Sequence, residues 1–173
     1  MSEDNFYIRI FDNQDQAHVQ DMVIAGLLAT AEGRSGSVRD GISAYLERSL
    51  SEDLGNIYDH YFTGGIFFVA ISHGCIVGCL GAEKDNDFIY RLKRLSVKKG
   101  YRNQGIAKGL LDNIEIWTQS RGASKLILGT SEVQKDALIF WKKSGFQVVE
   151  SEVVESGIEV FSLEKDLDLN FEN

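Results

Sequence analysis

The chain has no proline and only two cysteines, three histidines and two tryptophans in 173 residues. Without proline there is no Pro-rich linker to separate domains. The two cysteines, Cys75 and Cys79, fall in one strand-like run. At about 3.4 Å per residue they stand roughly 13 Å apart, whereas a disulfide needs Cα atoms within about 7 Å. Both are therefore expected to be free, buried thiols in a reducing cytosol. His18, His60 and His73 have no metal-ligand spacing with one another or with the cysteines, so no metal is expected. No apolar run approaches the roughly 20 residues of a membrane helix, and no membrane partner is expected. The start, Met1 to Asn5, is acidic and polar, unlike the positive n-region of a secretory signal, which makes the expected location cytoplasmic. Basic residues are also in deficit, 18 against 26 acidic for a net charge of −8. That balance excludes a nucleic-acid backbone as partner, because such binding rests on Lys and Arg neutralising phosphates. It favours a cationic small molecule or a basic peptide only through long-range steering, and plain solubility is the simpler reading.

What is present is an ordinary globular composition, 43% hydrophobic and 25% charged, which excludes a disordered chain. The length suits one domain, residues 1–173, with a core over about 5–165 and a short acidic tail, 166–173, expected to fray. A chain of this size buries roughly 70% of its unfolded surface and needs no disulfide or metal staple.

Alternation in Tyr7-Ile8-Arg9-Ile10-Phe11 predicts a strand, and Asp12-Asn13 a helix cap. A stripe at Ala17, Met22, Val23, Ala25, Gly26, Leu27, Leu28 and Ala31 predicts the first helix. Gly33, Gly36 and Gly41 loosen the chain before a second helix over about Ile42–Leu54. An aromatic stretch from Asn56 to Thr63 ends at Gly64-Gly65. Ile66–Ile71 reads as a buried strand, His73-Gly74 as a two-residue hairpin turn and Cys75–Glu83 as its partner. A third strand, Phe88–Val97, follows the acidic tip at 84–87. Ile106, Ala107, Leu110, Leu111, Ile114 and Trp117 mark an amphipathic helix. Lys125–Thr130 is a strand, Gln134–Lys143 a helix, and Phe146–Val154 with Ile158–Leu163 a closing hairpin. The order β-α-α-β-β-β-α-β-α-β-β places the chain in the α/β class with a mixed, α+β sheet.

The richest segment runs from Leu92 to Leu111. A strand ends in Leu95-Ser96-Val97, a basic loop follows, and Arg102-Asn103-Gln104-Gly105-Ile106-Ala107 opens a helix. The first-turn N–H groups of a helix are unpaired and its dipole is positive there, so such a junction suits an anion. Gly105 lets a phosphate approach the backbone, while Arg102, Lys98 and Lys99 add charge. The loop matches neither the Walker A nor the Rossmann pattern.

Arg102-x-x-Gly105-x-Ala107 after that strand resembles the [QR]-x-x-G-x-[GA] signature of the GNAT superfamily of N-acetyltransferases. The resemblance spans about residues 5–165: "GGIFFVAISHGCIVGCLGAE" is similar to the family's second and third strands, and "ALIFWKKSGF" to its helix-then-Gly-Phe motif. It implies a mostly antiparallel central sheet flanked by helices, and acetyl-CoA as co-substrate. By the same resemblance the amides of Arg102, Asn103, Gln104, Gly105, Ile106 and Ala107 hold the pyrophosphate. The backbone of Leu95, Ser96 and Val97 pairs with the pantetheine arm, and a backbone N–H near Val97 stabilises the oxyanion. The thioester lies where the strand ending at Val97 and the Lys125–Thr130 strand splay apart. A neutral primary amine of a small molecule or peptide then attacks the thioester directly.

The chain departs from the family at both proton-handling positions. The Glu that relatives often carry six residues before the final Val is Arg91, and the Tyr of the "A-x-x-x-Y" stretch is Trp141, whose indole N–H is too weak an acid. The Asn before that stretch is Gln134, an amide long enough to reach the pantetheine; Trp141 is expected to pack against CoA or the core. Glu83 is the substitute base, with Asp85 and Asp87 close in sequence as the groups expected to raise its pKa. Tyr90 and Ser131 are possible acids for the leaving thiolate. Arg91 suits an acceptor carboxylate, and Tyr58 and His60 lie where relatives build the acceptor wall. The altered positions also admit a binding module that keeps acyl-CoA affinity without turnover, and the last hairpin could pair across a homodimer.

Overall fold

The computed structural model describes residues 5–168. Strand β1 (Tyr7–Ile10) leads into a capping box, in which Asp12 accepts from Gln14 N at 2.9 Å and Asp15 accepts from Asp12 N at 2.8 Å. The Asp15 carboxylate also takes two hydrogen bonds from Arg9, 2.7 and 2.9 Å long, so strand and cap are held together. Helix α1 (Gln16–Thr30) buries Val19, Val23 and Leu27, one residue per turn. The sequence stripe was off by part of a turn: Leu28 is half-exposed, and Val19, outside the stripe, is fully buried.

Helix α2 (Gly36–Ser49) begins six residues before its expected start, because the Ser35 hydroxyl caps Val38 N. Gly41 lies inside this helix, where a Cβ would sit 2.6 Å from the Ser156 Cβ. It is there for a close approach of the last hairpin. A single π-helical turn, Leu50–Leu54, and a short helix α3 (Ile57–Tyr61) complete this layer.

The remaining elements are β2 (Ile66–Ser72), β3 (Cys75–Lys84), β4 (Ile89–Val97), α4 (Ile106–Gln119), β5 (Lys125–Ser131), α5 (Lys135–Lys143), β6 (Gln147–Val153) and β7 (Glu159–Asp166). Among the described residues the strands form one seven-stranded sheet, ordered β1-β2-β3-β4-β5-β7-β6, with β4–β5 as its one parallel pair. The β2–β3 turn has His73 and Gly74 at φ 49° and 76°, as a two-residue hairpin requires. Every β2 residue is buried, which explains its unbroken apolar run. Ile66, Phe68 and Ala70 join the core under α4 and α5, while Phe67, Val69 and Ile71 join the one under α1 and α3. Among the described residues no helix is long and apolar enough to cross a membrane.

Two sequence expectations are corrected. Cys79 is buried and its thiol is pushed up to about 12 by burial, but Cys75 opens β3 beside the turn and is exposed. The chain does not fray from 166: β7 runs through Asp166, and Leu167 is buried with its N–H bonded to Ser124 O. Residues 169–173 of that tail, like the acidic start at 1–4, lie outside the described residues.

The strongest polar tie between the layers is buried. Arg94 of β4 donates to both carboxylate oxygens of Asp53 in the π-turn, at 2.5 and 2.9 Å. Burial alone would raise the Asp53 pKa, but the Arg94 hydrogen bonds and charge outweigh it and hold it below the usual range. Asp15 is lowered in the same way, with Arg9 overcoming its burial. A depressed carboxylate stabilises the fold fully above its unfolded value near 3.8 and loses that contribution as pH falls through the folded value. The melting temperature is thus expected to hold between pH 7 and 5 and to drop below about pH 4. Asp53→Asn should already be about 3–5 kcal/mol less stable at pH 7, because it strands a buried guanidinium. Thermal unfolding across pH checks both.

Candidate functional site

Strand β4 carries two neighbours over only half its length. It pairs with β5 from Ile89↔Lys125 to Leu92↔Leu128, yet β4 continues to Val97 and β5 to Ser131 without further pairing. The β4–β5 pairing stops beside an irregularity on the β3 side, where Gly81 pairs with Lys93 and Cys79 with Ser96. Leu80 thus faces two residues, Arg94 and Leu95, which is a β-bulge. Arg94 occupies the left-handed region at φ 65°. The bulge resets the face parity of the strand: Tyr90 and Leu92 join the α4-side core, and so do Leu95 and Val97 beyond it. Ser96 points the other way, toward Gly26 of α1. Among the described residues no strand lies against the edge of β4 from 93 to 97 that faces β5.

That edge leads straight to the basic loop. Asn103 (φ 60°) and Gly105 (φ 83°) are left-handed, and Gly105 caps α4 without offering a side-chain acceptor to the first-turn amides. A Cβ built on Gly105 meets nothing within 4 Å, so the space above these amides is open. Arg102 Nε donates to Val97 O at 3.2 Å, and Gln104 Nε2 to Gly100 O at 3.2 Å, which close the loop onto the strand end. Ile106 turns its side chain into the core and Ala107 stays small at the surface layer. An open strand edge leading to unpaired helix-terminal amides fits an extended ligand that ends in phosphates.

Across the gap, Gln134 precedes α5 and accepts from Thr130 Oγ1 at 3.2 Å. Trp141 is buried, with its ring edge-on to Phe146 and tilted against Phe140, so the role visible for it is packing. Tyr90 is likewise a core residue, set edge-on to Trp117.

The acceptor-side candidates gather on the other face of the sheet. Glu83 and Arg91 are cross-strand partners on β3 and β4. His60 Nε2 lies 2.5 Å from Glu83 Oε2, and Lys93 Nζ 3.0 Å from Glu83 Oε1. This corrects the expected surroundings of Glu83: its partners are His60 and a cation, while Asp85 pairs with Arg91 at 3.7 Å and Asp87 with Lys84 at 2.9 Å. His60, Tyr61, Thr63, Gly65, Glu83 and Lys84 line an open groove of about 290 Å³. Tyr58 stacks on Phe62 at 4.7 Å and makes no hydrogen bond to this cluster.

Sequence reasoning missed Lys93, Arg94 and Asp53. The signal for Arg94 was available: apolar residues at 90 and 92, then at 95 and 97, break the alternation of a strand and mark a bulge. Among the described residues no group of three or more His, Cys, Asp or Glu side chains could hold a metal ion.

Gly105→Glu places a carboxylate over the open amides. It should cost only about 1–2 kcal/mol for the left-handed backbone, yet lower acetyl-CoA affinity at least 100-fold. Thermal unfolding and calorimetric titration separate the two effects.

A family model described as acetyltransferase (GNAT) family matches residues 37–146. The N-acetylaspartate synthetase of Rattus norvegicus is 34% identical over 129 residues, 73% of this chain and 42% of that protein. The chain spans about half or less of the length of the curated relatives it matches. In fold, it superposes on a GNAT-family acetyltransferase of Staphylococcus aureus Mu50 with a TM-score of 0.76 at 24% identity, covering 94% of this chain and 99% of that one. The PaiA N-acetyltransferase of Thermoplasma acidophilum, solved in complex with coenzyme A, gives 0.74 at 21% identity over 93% and 98%. With the family model matching well over half of the residues and the bulged β4 running into the Arg102–Ala107 loop, the chain belongs to the acetyltransferase (GNAT) family.

Proposed function

We propose that this chain transfers an acetyl group from acetyl-CoA to the primary amine of a small molecule or peptide, with an acceptor that carries a carboxylate preferred. The observation that carries the reading is the open β4 edge at 93–97 running into the uncapped start of α4. Acetyl-CoA supplies an activated thioester. The amides of 102–107 would hold its pyrophosphate, and the backbone of Leu95–Val97 its pantetheine arm, with an N–H near Val97 stabilising charge on the carbonyl oxygen. Gln134 keeps an amide nitrogen at the far wall of the gap.

An amine with a pKa near 10 is only about one part in a thousand neutral at pH 7, which adds roughly 4 kcal/mol to the barrier unless a base removes the proton. Glu83 is the base in this reading: it faces Arg91 across the strands and is oriented by His60 and Lys93. Arg91, in a long 3.7 Å pair with Asp85, is open to competition from a ligand carboxylate. A relative named for making N-acetylaspartate supports an amino-acid acceptor. Tyr58 and His60 would line the approach.

The test is a panel of amino acids, diamines and short peptides incubated with acetyl-CoA, with products read by mass spectrometry because exposed Cys75 would itself consume thiol reagents. An acetylated carboxylate-bearing amine is the expected product. Glu83→Gln should lower kcat about 100- to 1,000-fold with acetyl-CoA affinity unchanged. Arg91→Gln should raise KM for the carboxylate acceptor about tenfold and leave kcat nearly intact. Tight acetyl-CoA binding with no acetylated product from any amine would instead favour a binding module.

A further inference from the structure

Arg94 is unusual three times over. It is a non-glycine residue held at φ 65° in the middle of a strand, its side chain is buried, and that side chain is saturated with partners. Besides the two bonds to Asp53, Nη1 donates to Ser49 Oγ at 2.9 Å and to the Tyr45 hydroxyl at 3.0 Å. The Tyr61 hydroxyl donates to Asp53 at 2.5 Å. The Arg94 carbonyl, turned out of the ladder by the bulge, accepts from the buried Cys79 thiol at 3.1 Å. Groups from α2, the π-turn and β3 thus converge on this one residue of β4, and α3 joins through its bond to Asp53.

A side chain in the left-handed region is disfavoured, so regular extended backbone would return unless something prevents it. From Arg94 at regular strand parity the guanidinium would point to the α4-side core, away from Asp53. Only the left-handed conformation sends Lys93 and Arg94 to the same face, where the carboxylate waits. We propose that the Asp53–Arg94 pair is a positioning device: it holds Arg94 left-handed, and so fixes which face and which edge Leu95, Ser96 and Val97 present to the gap beside β5. Arg94 touches neither ligand in this account and acts through the strand that follows it. The inference rests on the acetyl-CoA reading for its functional consequence only; the conformational claim stands on the bulge itself.

The test uses two variants that both lack the ion pair and strand no buried charge, since Ser49 Oγ keeps its bond to Tyr45 O at 2.7 Å: Asp53→Leu/Tyr61→Phe/Arg94→Met and Asp53→Leu/Tyr61→Phe/Arg94→Gly. Glycine adopts the left-handed conformation without a holding force, whereas methionine does not. Both chains are measured by amide hydrogen exchange over β3–β4 without ligand, by acetyl-CoA titration and by turnover. The Gly variant is expected to keep the wild-type exchange pattern at 80 and 93–97 and acetyl-CoA affinity within about threefold. The Met variant is expected to change that pattern and lose at least tenfold in affinity and 100-fold in kcat. Equal exchange patterns and equal affinities in the two variants would overturn the proposal, as would a Gly variant as impaired as the Met variant. If the wild type itself bound no acetyl-CoA, the functional reading would fail, and the exchange patterns alone would decide the conformational one. Should the Met variant fail to fold while the Gly variant folds with the wild-type pattern, the holding role is again supported; if neither folds, the pair is a stability element and the proposal falls.

Discussion

A strand in the interior of a sheet ordinarily has both edges paired, and β4 obeys that rule only as far as Leu92. Beyond Leu92 it stays bonded to β3 but loses β5, and the bulge beside that break is centred on a single left-handed residue whose side chain is tied to Asp53. Most of what distinguishes the site follows from it. The bulge returns Leu95 and Val97 to the α4-side core and keeps Ser96 toward α1, and beside it one backbone edge of β4 is free of β5. An unsatisfied edge inside a sheet is costly unless water or a ligand meets it, so an edge left open beside the start of α4 is the feature on which the proposed ligand site rests.

The two faces of the sheet divide the labour. The α4–α5 side is apolar and continuous, from Ile66 through Leu110 and Leu126 to Leu163, and it fixes the loop that opens α4. The α1–α3 side mixes a smaller apolar core with charge: Asp53 and Arg94 are sealed, Glu83 and His60 line the groove, and Lys93 and Arg91 are partly exposed beside them. The buried pair is sealed from solvent, whereas the rim pairs are partly exposed and are screened by water.

Much of this was legible in the sequence. The His73-Gly74 turn, the doubly buried β2 and the Gly105 helix start each follow from local rules about backbone freedom and periodicity, and each is found where those rules place it. What was not legible depends on residues far apart in the chain. Helix α2 begins at Gly36 because a serine caps it and because Gly41 serves a contact with Ser156, a reason invisible to propensity. Glu83 meets His60 and Lys93 instead of its sequence neighbours, since β-pairing and the placement of α3 decide its surroundings. Leu167 is secured by Ser124, a contact across the fold that the acidic composition of the tail did not reveal.

The central claim is that the free edge of β4 and the start of α4 form one continuous ligand site. Residue-resolved amide hydrogen exchange of the wild-type chain, with and without saturating acetyl-CoA, addresses it most directly. Slowed exchange is expected at Leu95–Val97 and at residues 103–108 together, with β1, β6 and the β2–β3 turn unchanged. Saturation with no slowing at 95–97, or with protection centred on another part of the sheet, would contradict the account.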